Sequence, residues 1–226
     1  MTFRVKIISP IKIDQADLER RQVRYGQTAS PDTLITVCNL PEGPTTLDTV
    51  ADIVACEYAI FQVGANTRTD DCDAILIDCV FDPAVDTIQK HTGIPTFGPM
   101  RTTLSLVHLV AQNFAIISRT QKQCEMMTEV IRRYGYVHSL VGTRPLGITY
   151  AQARQPAVFT KAMVRQIELA VQKDGAQAIL MGSTTMALND SLRRAANGVP
   201  LFMPGMFALR VMESMWNEGL LTRRSS

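Results

Sequence analysis

The chain has 226 residues, of which 46% are hydrophobic and 19% are charged, so it can bury a substantial core and is not disordered. Its formal net charge is only +2 and it contains no Lys/Arg block, which argues against a nucleic-acid-binding surface. No apolar run reaches the ~18 residues of a membrane span, and the N-terminal MTFRVKIISP is typical of a strand rather than a signal peptide. We therefore expect a cytoplasmic protein that binds neither nucleic acid nor membrane.

Short β-branched runs alternate with stretches of helical periodicity along the chain. In chain order, the predicted elements are strand 3–9, strand 34–38, helix 46–67, strand 73–78, helix 83–91, strand 94–97, helix 101–112, strand 114–118, helix 121–134, strand 137–141, helix 155–173, strand 177–182, helix 186–196, strand 199–203 and helix 206–218. This alternation indicates right-handed βαβ units, and the almost continuous apolar character of the strands indicates parallel sheets covered on both faces. The predicted fold class is α/β, with four strands before about residue 98 and four after it.

Two segments of the chain have similar sequences. AILIDCVFD begins at Ala74 and AILMGSTTM begins at Ala178, 104 residues later, and Gly93–Pro95 resembles Gly198–Pro200. Agreement in residue identity, spacing and element order predicts a duplicated architecture. No GxGxxG follows a strand and no GxxxxGK[ST] occurs, so dinucleotide-binding and P-loop fingerprints are missing.

Cys79 and Ser183 occupy equivalent places in the repeat, just after a predicted strand. Ligands of parallel sheets bind beyond the carboxyl ends of strands. Asp82 followed by proline is typical of an N-cap, and Thr184 or Thr185 could cap the second helix. A helix N-terminus favours a thiolate, and its amides can hold a carboxylate or an enolate oxygen. Two such turns on opposite sides of one substrate could remove a proton from one face of a carbon and deliver another proton to the opposite face.

The other cysteines are Cys38, Cys56, Cys72 and Cys124, which gives an odd total with no CxxC spacing and no zinc pattern. We expect them to be reduced, buried thiols, and Cys79 could be one more of that kind. Likewise, residues 183–185 could be a plain capping cluster.

Four segments resemble the aspartate/glutamate/hydantoin racemase superfamily, and in particular its hydantoin and allantoin racemase branch. They are DCVFDPAV (78–85), GPTTLDT (43–49), GAQAILMGSTTMA (175–187) and VGTRPLGI (141–148). The resemblance implies two pseudo-symmetric Rossmann-like halves, each with a four-stranded parallel sheet flanked by helices, and an active site in the cleft between them. The first half would comprise 1–98 plus 207–226, and the second half 99–206. It also implies an enzyme that needs no cofactor and no metal, and that uses two cysteines as opposed acid and base. The Met-rich segment 203–216 is typical of helix packing, and its exposed part could support a homo-oligomer interface, which is common for such enzymes.

The chain departs from this family at two places. Ser183 replaces the second cysteine, and SPIKI (9–13) replaces a Pro-Asn-Thr substrate loop. The second change could make the pocket more apolar, or Lys12 could supply a cation for a carboxylate. A serine needs an adjacent base to ionise, and no histidine is near Ser183 in sequence. The candidate catalytic residues are Cys79 and Ser183. The candidate substrate-binding residues are Ser9, Lys12, Val80, Phe81, Thr184 and Thr185.

The resemblance implies a cofactor-independent isomerase that transfers a proton at an acidic carbon of a small molecule with a carboxylate or imide group. Candidate substrates are hydantoins, ureides, amino acids and dicarboxylic acids. Two alternatives stay open: a decarboxylase of malonate-type acids that uses a single cysteine, and a ligand-binding homologue with impaired catalysis. Covalent addition by the first thiol, as in maleate isomerases of the superfamily, is a further possibility for Cys79.

Overall fold

The structure is a computed structural model in which residues 2–221 are described, apart from the side chain of Tyr150. The chain forms two compact units. Unit 1 comprises the chain up to Thr102 together with the chain from Gly205, and unit 2 runs from Thr103 to Pro204. The end of the predicted first half, 222–226, lies outside the described residues.

The helices and strands alternate as the sequence predicts. Among the described residues, the strands are β1 (Phe3–Ile8), β2 (Thr33–Cys38), β3 (Ala74–Ile77), β4 (Thr96–Phe97), β5 (Phe114–Ser118), β6 (Leu140–Pro145), β7 (Ile179–Met181) and β8 (Leu201–Phe202). The helices are α1 (Gln15–Thr28), α2 (Val50–Ala65), α3 (Val85–Thr92), α4 (Pro99–Val107), α5 (Gln121–Arg133), α6 (Tyr150–Ala153), α7 (Pro156–Gln172), α8 (Asp190–Ala196) and α9 (Pro204–Asn217). No helix among the described residues is long and apolar enough to cross a bilayer.

Each unit contains one four-stranded parallel sheet, and the two sheets have the same strand order. The order is β2-β1-β3-β4 in unit 1 and β6-β5-β7-β8 in unit 2. The central strands β3 and β5 are buried at every position, as expected for parallel strands covered on both faces. The prediction of an α/β fold with two four-stranded parallel sheets is therefore confirmed.

Two helices were missed by the sequence analysis. The buried residues of α1 are Asp17, Arg21 and Tyr25, so this helix shows no apolar stripe. The short helix α6 has a capping box between Thr149 and Gln152 but spans only four residues. Periodicity alone could find neither helix.

Several predicted boundaries were wrong. The predicted strand 137–141 begins with a 3₁₀ turn at Val137–Ser139, and β6 continues to Pro145. The predicted helix 101–112 ends at Val107, and the predicted helix 186–196 begins only at Asp190, where the Asn189 side chain accepts a hydrogen bond from the Leu192 N–H. In each case a cap or a turn overrides the apolar periodicity.

Candidate active site

The backbone turns sharply after β3 and presents Cys79. The Asp78 N–H donates to the Ile8 carbonyl at 2.9 Å, which extends the pairing of β1 and β3 by one residue. The Cys79 N–H then donates back to the Ile77 carbonyl at 2.7 Å, and the Asp82 N–H donates to the Cys79 carbonyl at 3.1 Å. Asp78 is thus the central residue of a three-residue turn that directs Cys79 away from the strand.

Asp82 caps a different helix from the one predicted. Helix α3 begins at Val85, and its N-cap is Ala84, which makes no side-chain cap hydrogen bond. The Asp82 carboxylate instead accepts hydrogen bonds from the N–H groups of Met100 at 3.0 Å and Arg101 at 2.7 Å, in the first turn of α4. The prediction that Asp82 caps the helix following Pro83 was therefore wrong, because the chain adds a second turn before that helix begins.

This turn has an unusual backbone. Asp82 and Ala84 have φ values of 50° and 58°, in the left-handed region that residues other than glycine seldom adopt. Such conformations persist where the surroundings enforce them, and they cluster at functional sites. Here the two hydrogen bonds from α4 hold the Asp82 carboxylate in place.

Cys79 is 3% exposed, so its thiol lies in a buried turn. Burial raises the pKa of this thiol well above its ordinary value, and a hydrogen bond with the Cys56 thiol of α2 raises it further. The Phe81 N–H lowers the pKa, but by less. The expectation that a helix N-terminus favours the Cys79 thiolate was wrong, because the thiol lies in a buried turn and α3 begins only at Val85.

A buried charged group anchors the residue before Cys79. The Asp78 side chain is fully buried; Arg21 forms an ion pair with Asp78 Oδ2, and Tyr25 Oη donates to Asp78 Oδ1 at 2.6 Å. Neither the cluster of Arg21, Tyr25 and Asp78 nor the contact with the Cys56 thiol was predicted from the sequence. The only signal was the four-residue spacing of Arg21 and Tyr25 within an otherwise polar segment.

The equivalent turn of unit 2 presents Ser183. The Gly182 N–H donates to the Ile117 carbonyl at 2.7 Å, as Asp78 does to Ile8 in unit 1. Ser183 is half-buried; its Oγ lies 2.9 Å from Thr185 Oγ1 and accepts from the Thr185 N–H at 3.2 Å. Both partners belong to a threonine, which is not a base at neutral pH. Because Asn189 caps α8, the prediction that Thr184 or Thr185 caps this helix was wrong.

The other candidate residues lie in or near these two turns. Val80 and Phe81 follow Cys79 and are 4% and 5% exposed, and Thr184 is buried whereas Thr185 is exposed. Ser9 follows β1 and is buried.

Ser9 Oγ donates to the Ile11 carbonyl at 2.9 Å, and the exposed Lys12 is held by its backbone N–H, which donates to Pro44 at 2.8 Å. In unit 2 the buried Ser118, which ends β5, has the place of Ser9 and donates to the Gly182 carbonyl at 3.2 Å. Ser118 was not predicted as a site residue, although the repeat indicates its equivalence to Ser9.

The chain resembles known racemases over most of its length. Residues 19–211 match the model of the Asp/Glu/Hydantoin racemase family. The hydantoin racemase of Paenarthrobacter aurescens is 27% identical over 208 residues, which cover 88% of this chain and 86% of that protein.

Solved structures show the same fold. The allantoin racemase from Klebsiella pneumoniae matches with a TM-score of 0.87 and 21% identity, over 98% of this chain and 90% of that chain. An arylmalonate decarboxylase matches with a TM-score of 0.62 and 18% identity, over 99% of this chain and 94% of that chain. The family match covers far more than half of the chain, which therefore belongs to the Asp/Glu/hydantoin racemase family.

Proposed function

We propose that this racemase-type isomerase moves a proton at an acidic carbon of a hydantoin or a related ureide through the thiol of Cys79. The observation that carries the proposal is the turn after β3. In a chain of this family, that turn holds a thiol at the carboxyl end of a central strand, beside a strained and capped backbone. The repeat supports a second polar group, Ser183, as the residue opposite Cys79 across the substrate.

The two groups have unequal acidities. A thiol is the stronger acid of the two, with an ordinary pKa of about 8.5, whereas a serine hydroxyl ionises only with help from an adjacent base. Burial of Cys79 raises its pKa, so only a small fraction of this thiol is ionised at neutral pH. The partners of Ser183 are groups of Thr185, so we propose that Ser183 seldom acts as a base. Cys79 would take the proton from one face of the carbon and exchange it with solvent, and the enolate would mostly recover a solvent-derived proton from the same thiol. Protonation from the side of Ser183 would then be the slow step of inversion.

The names of the similar proteins support hydantoins as the substrate class. The curated relatives that match over more than 85% of the chain are named hydantoin racemases. In the proposed complex, the hydroxyls and amides of Thr184 and Thr185 would bind an imide or carboxylate oxygen, and Val80 and Phe81 would form an apolar wall. Ser9 and Lys12 would bind the substrate from the loop after β1. Amino acids and dicarboxylic acids are also candidate substrates, because they too carry an acidic carbon-bound hydrogen.

The proposal is tested by hydrogen exchange at the substrate carbon. Each enantiomer of several 5-substituted hydantoins, allantoin, aspartate and glutamate is incubated with the protein in D₂O, and deuterium incorporation is followed by NMR. We expect Cys79→Ala to reduce exchange of the preferred substrate ~10³-fold, because removing a general base costs two to four orders of magnitude. Cys72→Ala is the matched control, since Cys72 is also a buried thiol of unit 1 but lies before β3. No exchange with any member of the panel would contradict the proposal.

A second candidate is cofactor-independent decarboxylation of a malonate-type acid. The presence of one thiol in the paired turns favours it, since a single acid suffices to protonate an enediolate. Release of carbon dioxide from arylmalonates that disappears in Cys79→Ala, in a protein that exchanges no hydantoin hydrogen, would select this reaction. Ligand-induced thermal stabilisation without either reaction would select a binding protein instead.

We also propose a cytoplasmic homo-oligomer. The five cysteines are free thiols, which suits a reducing compartment. One face of α2 exposes Val50, Val54 and Tyr58 by 59%, 64% and 68%, and an apolar stripe of this kind suits a contact with a second copy. Sedimentation of the native chain and of Val54→Glu tests the oligomer, which the charge should weaken.

A further inference from the structure

The ion pair of Arg21 and Asp78 lies directly behind the Cys79 turn. The side chains of Arg21 and Asp78 are 7% and 0% exposed, and Tyr25 is also fully buried. Arg21 and Tyr25 are one helical turn apart on α1, so a single helix face holds both oxygens of the Asp78 carboxylate. Burying a charged pair of this kind carries a large desolvation cost.

Unit 2 builds the equivalent turn without any charge. Gly182 has the place of Asp78, and a Cβ built on Gly182 would lie 3.0 Å from Sδ of Met127 and 2.7 Å from Cβ of Ser118. Met127 is the seventh residue of α5, as Arg21 is the seventh residue of α1. The pair of Arg21 with Asp78 in unit 1 therefore corresponds to a methionine packed against a glycine in unit 2.

This comparison shows that the fold does not require the ion pair. The sheet order and the hydrogen bond to the neighbouring strand are the same in both units, whether the turn residue is Asp78 or Gly182. Apolar side chains often replace buried ion pairs with no loss of stability. The two turns also differ at the next residue, which is a thiol in unit 1 and a hydroxyl in unit 2.

Asp78 can act on Cys79 through the backbone. It is the central residue of the turn closed by the hydrogen bond from the Cys79 N–H to the Ile77 carbonyl. Because α1 holds both carboxylate oxygens, rotation of Asp78 would move the Cys79 backbone with it. Arg21 also balances the charge of Asp78, which would otherwise oppose a thiolate on the adjacent residue.

We propose that Arg21 and Tyr25 are positioning residues, which fix Cys79 through Asp78 and neutralise the carboxylate beside it. This inference rests on the proposed role of Cys79 in proton transfer. The groups that face the thiol are the Cys56 thiol from α2 and the Asp82 carboxylate and Phe81 N–H of its own turn. Arg21 is the cation that pairs with the carboxylate immediately before Cys79.

The test combines turnover with a chemical measurement on Cys79 itself. Alkylation of Cys79 by iodoacetamide is followed by peptide mass spectrometry between pH 6 and 10, alongside kcat and KM for hydrogen exchange. We expect Arg21→Met to slow alkylation at pH 8 about tenfold, because it removes the cation that forms an ion pair with the neighbouring Asp78 carboxylate. It should also lower kcat ~10²-fold with little change in KM, since the thiol is displaced from its working position. Tyr25→Phe, which removes one hydrogen bond, should lower kcat about tenfold.

An uncharged replacement separates positioning from folding. In the triple variant Arg21→Met, Tyr25→Phe and Asp78→Ala, unit 1 receives the apolar arrangement of unit 2. We expect this protein to fold with a melting temperature near that of the native chain, to regain much of the alkylation rate, and still to have a reduced kcat. The first two results follow from removing the buried carboxylate together with its cation, and the third follows from losing the side chain that anchors the turn to α1.

The pair of Arg4 with Asp73 provides the matched control. It is a partly buried ion pair of unit 1 at the opposite end of β3, where Arg4 Nη2 lies 2.9 Å from Asp73 Oδ1. Asp73→Asn should lower the melting temperature while leaving the alkylation profile and kcat of the folded protein unchanged.

Two outcomes would overturn the positioning role. One is a triple variant that folds and keeps a native kcat. The other is an alkylation profile that is native in folded Arg21→Met and Tyr25→Phe. If the native chain exchanges no substrate hydrogen, the proposed function fails, but the alkylation profiles still decide whether Arg21 and Tyr25 control the thiol.

Discussion

The turns after β3 and β7 hold equivalent places in two sheets with the same strand order, yet they are stabilised by different means. In unit 1 the turn is buried; Asp78 binds α1, and Asp82 caps α4. In unit 2 Gly182 packs closely against Ser118, and the half-buried Ser183 hydroxyl interacts with Thr185. The unit 1 turn therefore contains two buried carboxylates and a thiol, whereas the unit 2 turn contains hydroxyl groups.

A duplicated backbone therefore does not imply duplicated chemistry. Both turns extend the sheet by one hydrogen bond to the neighbouring strand, which is a requirement of the fold. The side chains on the two turns are free to differ. In this chain, the features that cost folding free energy are left-handed backbone and a buried charged pair, and both occur at the turn that contains Cys79.

A carboxylate introduced into the unit 2 turn should destabilise the protein more than any other change considered below. Gly182→Asp should destabilise the protein by about 4 kcal/mol, because the new carboxylate would be buried against Met127 and Ser118 without a cation. Urea unfolding measures the loss, and Gly26→Asp is the control because nothing lies within 4 Å of a Cβ at that glycine. Adding Met127→Arg to Gly182→Asp should recover part of the loss. Equal stability of the Gly182 and Gly26 variants would show that the unit 2 turn is not closely packed at Gly182.

A smaller loss is expected where the unit 1 turn meets α4. A Cβ on Gly98 would lie 2.4 Å from the carboxyl carbon of Asp82, so Gly98→Ala should displace this cap. We expect a destabilisation of about 2 kcal/mol from overpacking and the lost cap, together with slower hydrogen exchange of the substrate. Gly26→Ala, at an open helical position, should not destabilise the protein. Native stability of Gly98→Ala would contradict the capping role of Asp82.

The dependence of turnover on pH should reflect the raised pKa of Cys79. A step that requires the thiolate should accelerate about tenfold per pH unit between pH 7 and 9, because the thiolate fraction grows with pH below the pKa. Cys56→Ala should move the profile to lower pH, since the hydrogen bond with Cys56 raises the pKa of Cys79. Steady-state rates of hydrogen exchange across this range provide the measurement. A plateau beginning below pH 7 would mean that the working thiol has a lowered pKa.

The smallest effect concerns the strained backbone. Ala84 has a φ of 58°, so Ala84→Gly should stabilise the protein by about 0.5–1 kcal/mol by relieving a left-handed conformation. Ala55→Gly, in the exposed part of α2, should cost about 1 kcal/mol instead. Thermal unfolding compares the two variants. Destabilisation of equal size at both positions would argue that residue 84 is not strained.

The sheets and the repeat could be read from the sequence because they depend on regular patterns. Apolar runs such as FAIIS and AILI mark the buried strands, and the match of Ala74 with Ala178 marks equivalent places in the two sheets. Cys79 and Ser183 were found in this way, since each follows a strand in the repeat. Their catalytic roles are still a prediction.

The surroundings of Cys79 could not be read from the sequence because they come from distant segments. Arg21 and Tyr25 lie more than 50 residues before Asp78 and belong to a helix with no apolar stripe. Asp82 was expected to cap the helix that follows it, but it caps α4, whose first turn reaches it across a glycine. The pKa of Cys79 was misjudged for the same reason, because local sequence does not reveal burial or the contact with Cys56.

The most direct measurement of the asymmetry between the two turns is the ratio of deuterium exchange to inversion for a single enantiomer of the preferred substrate. NMR gives the exchange and chiral chromatography gives the inversion in the same D₂O reaction. We expect the native chain to exchange one enantiomer ~10²-fold faster than it inverts it, and Ser183→Cys to bring the two rates together by adding a second ionisable thiol. Equal rates of exchange and inversion in the native chain would contradict the claim that Cys79 alone supplies the ionisable group.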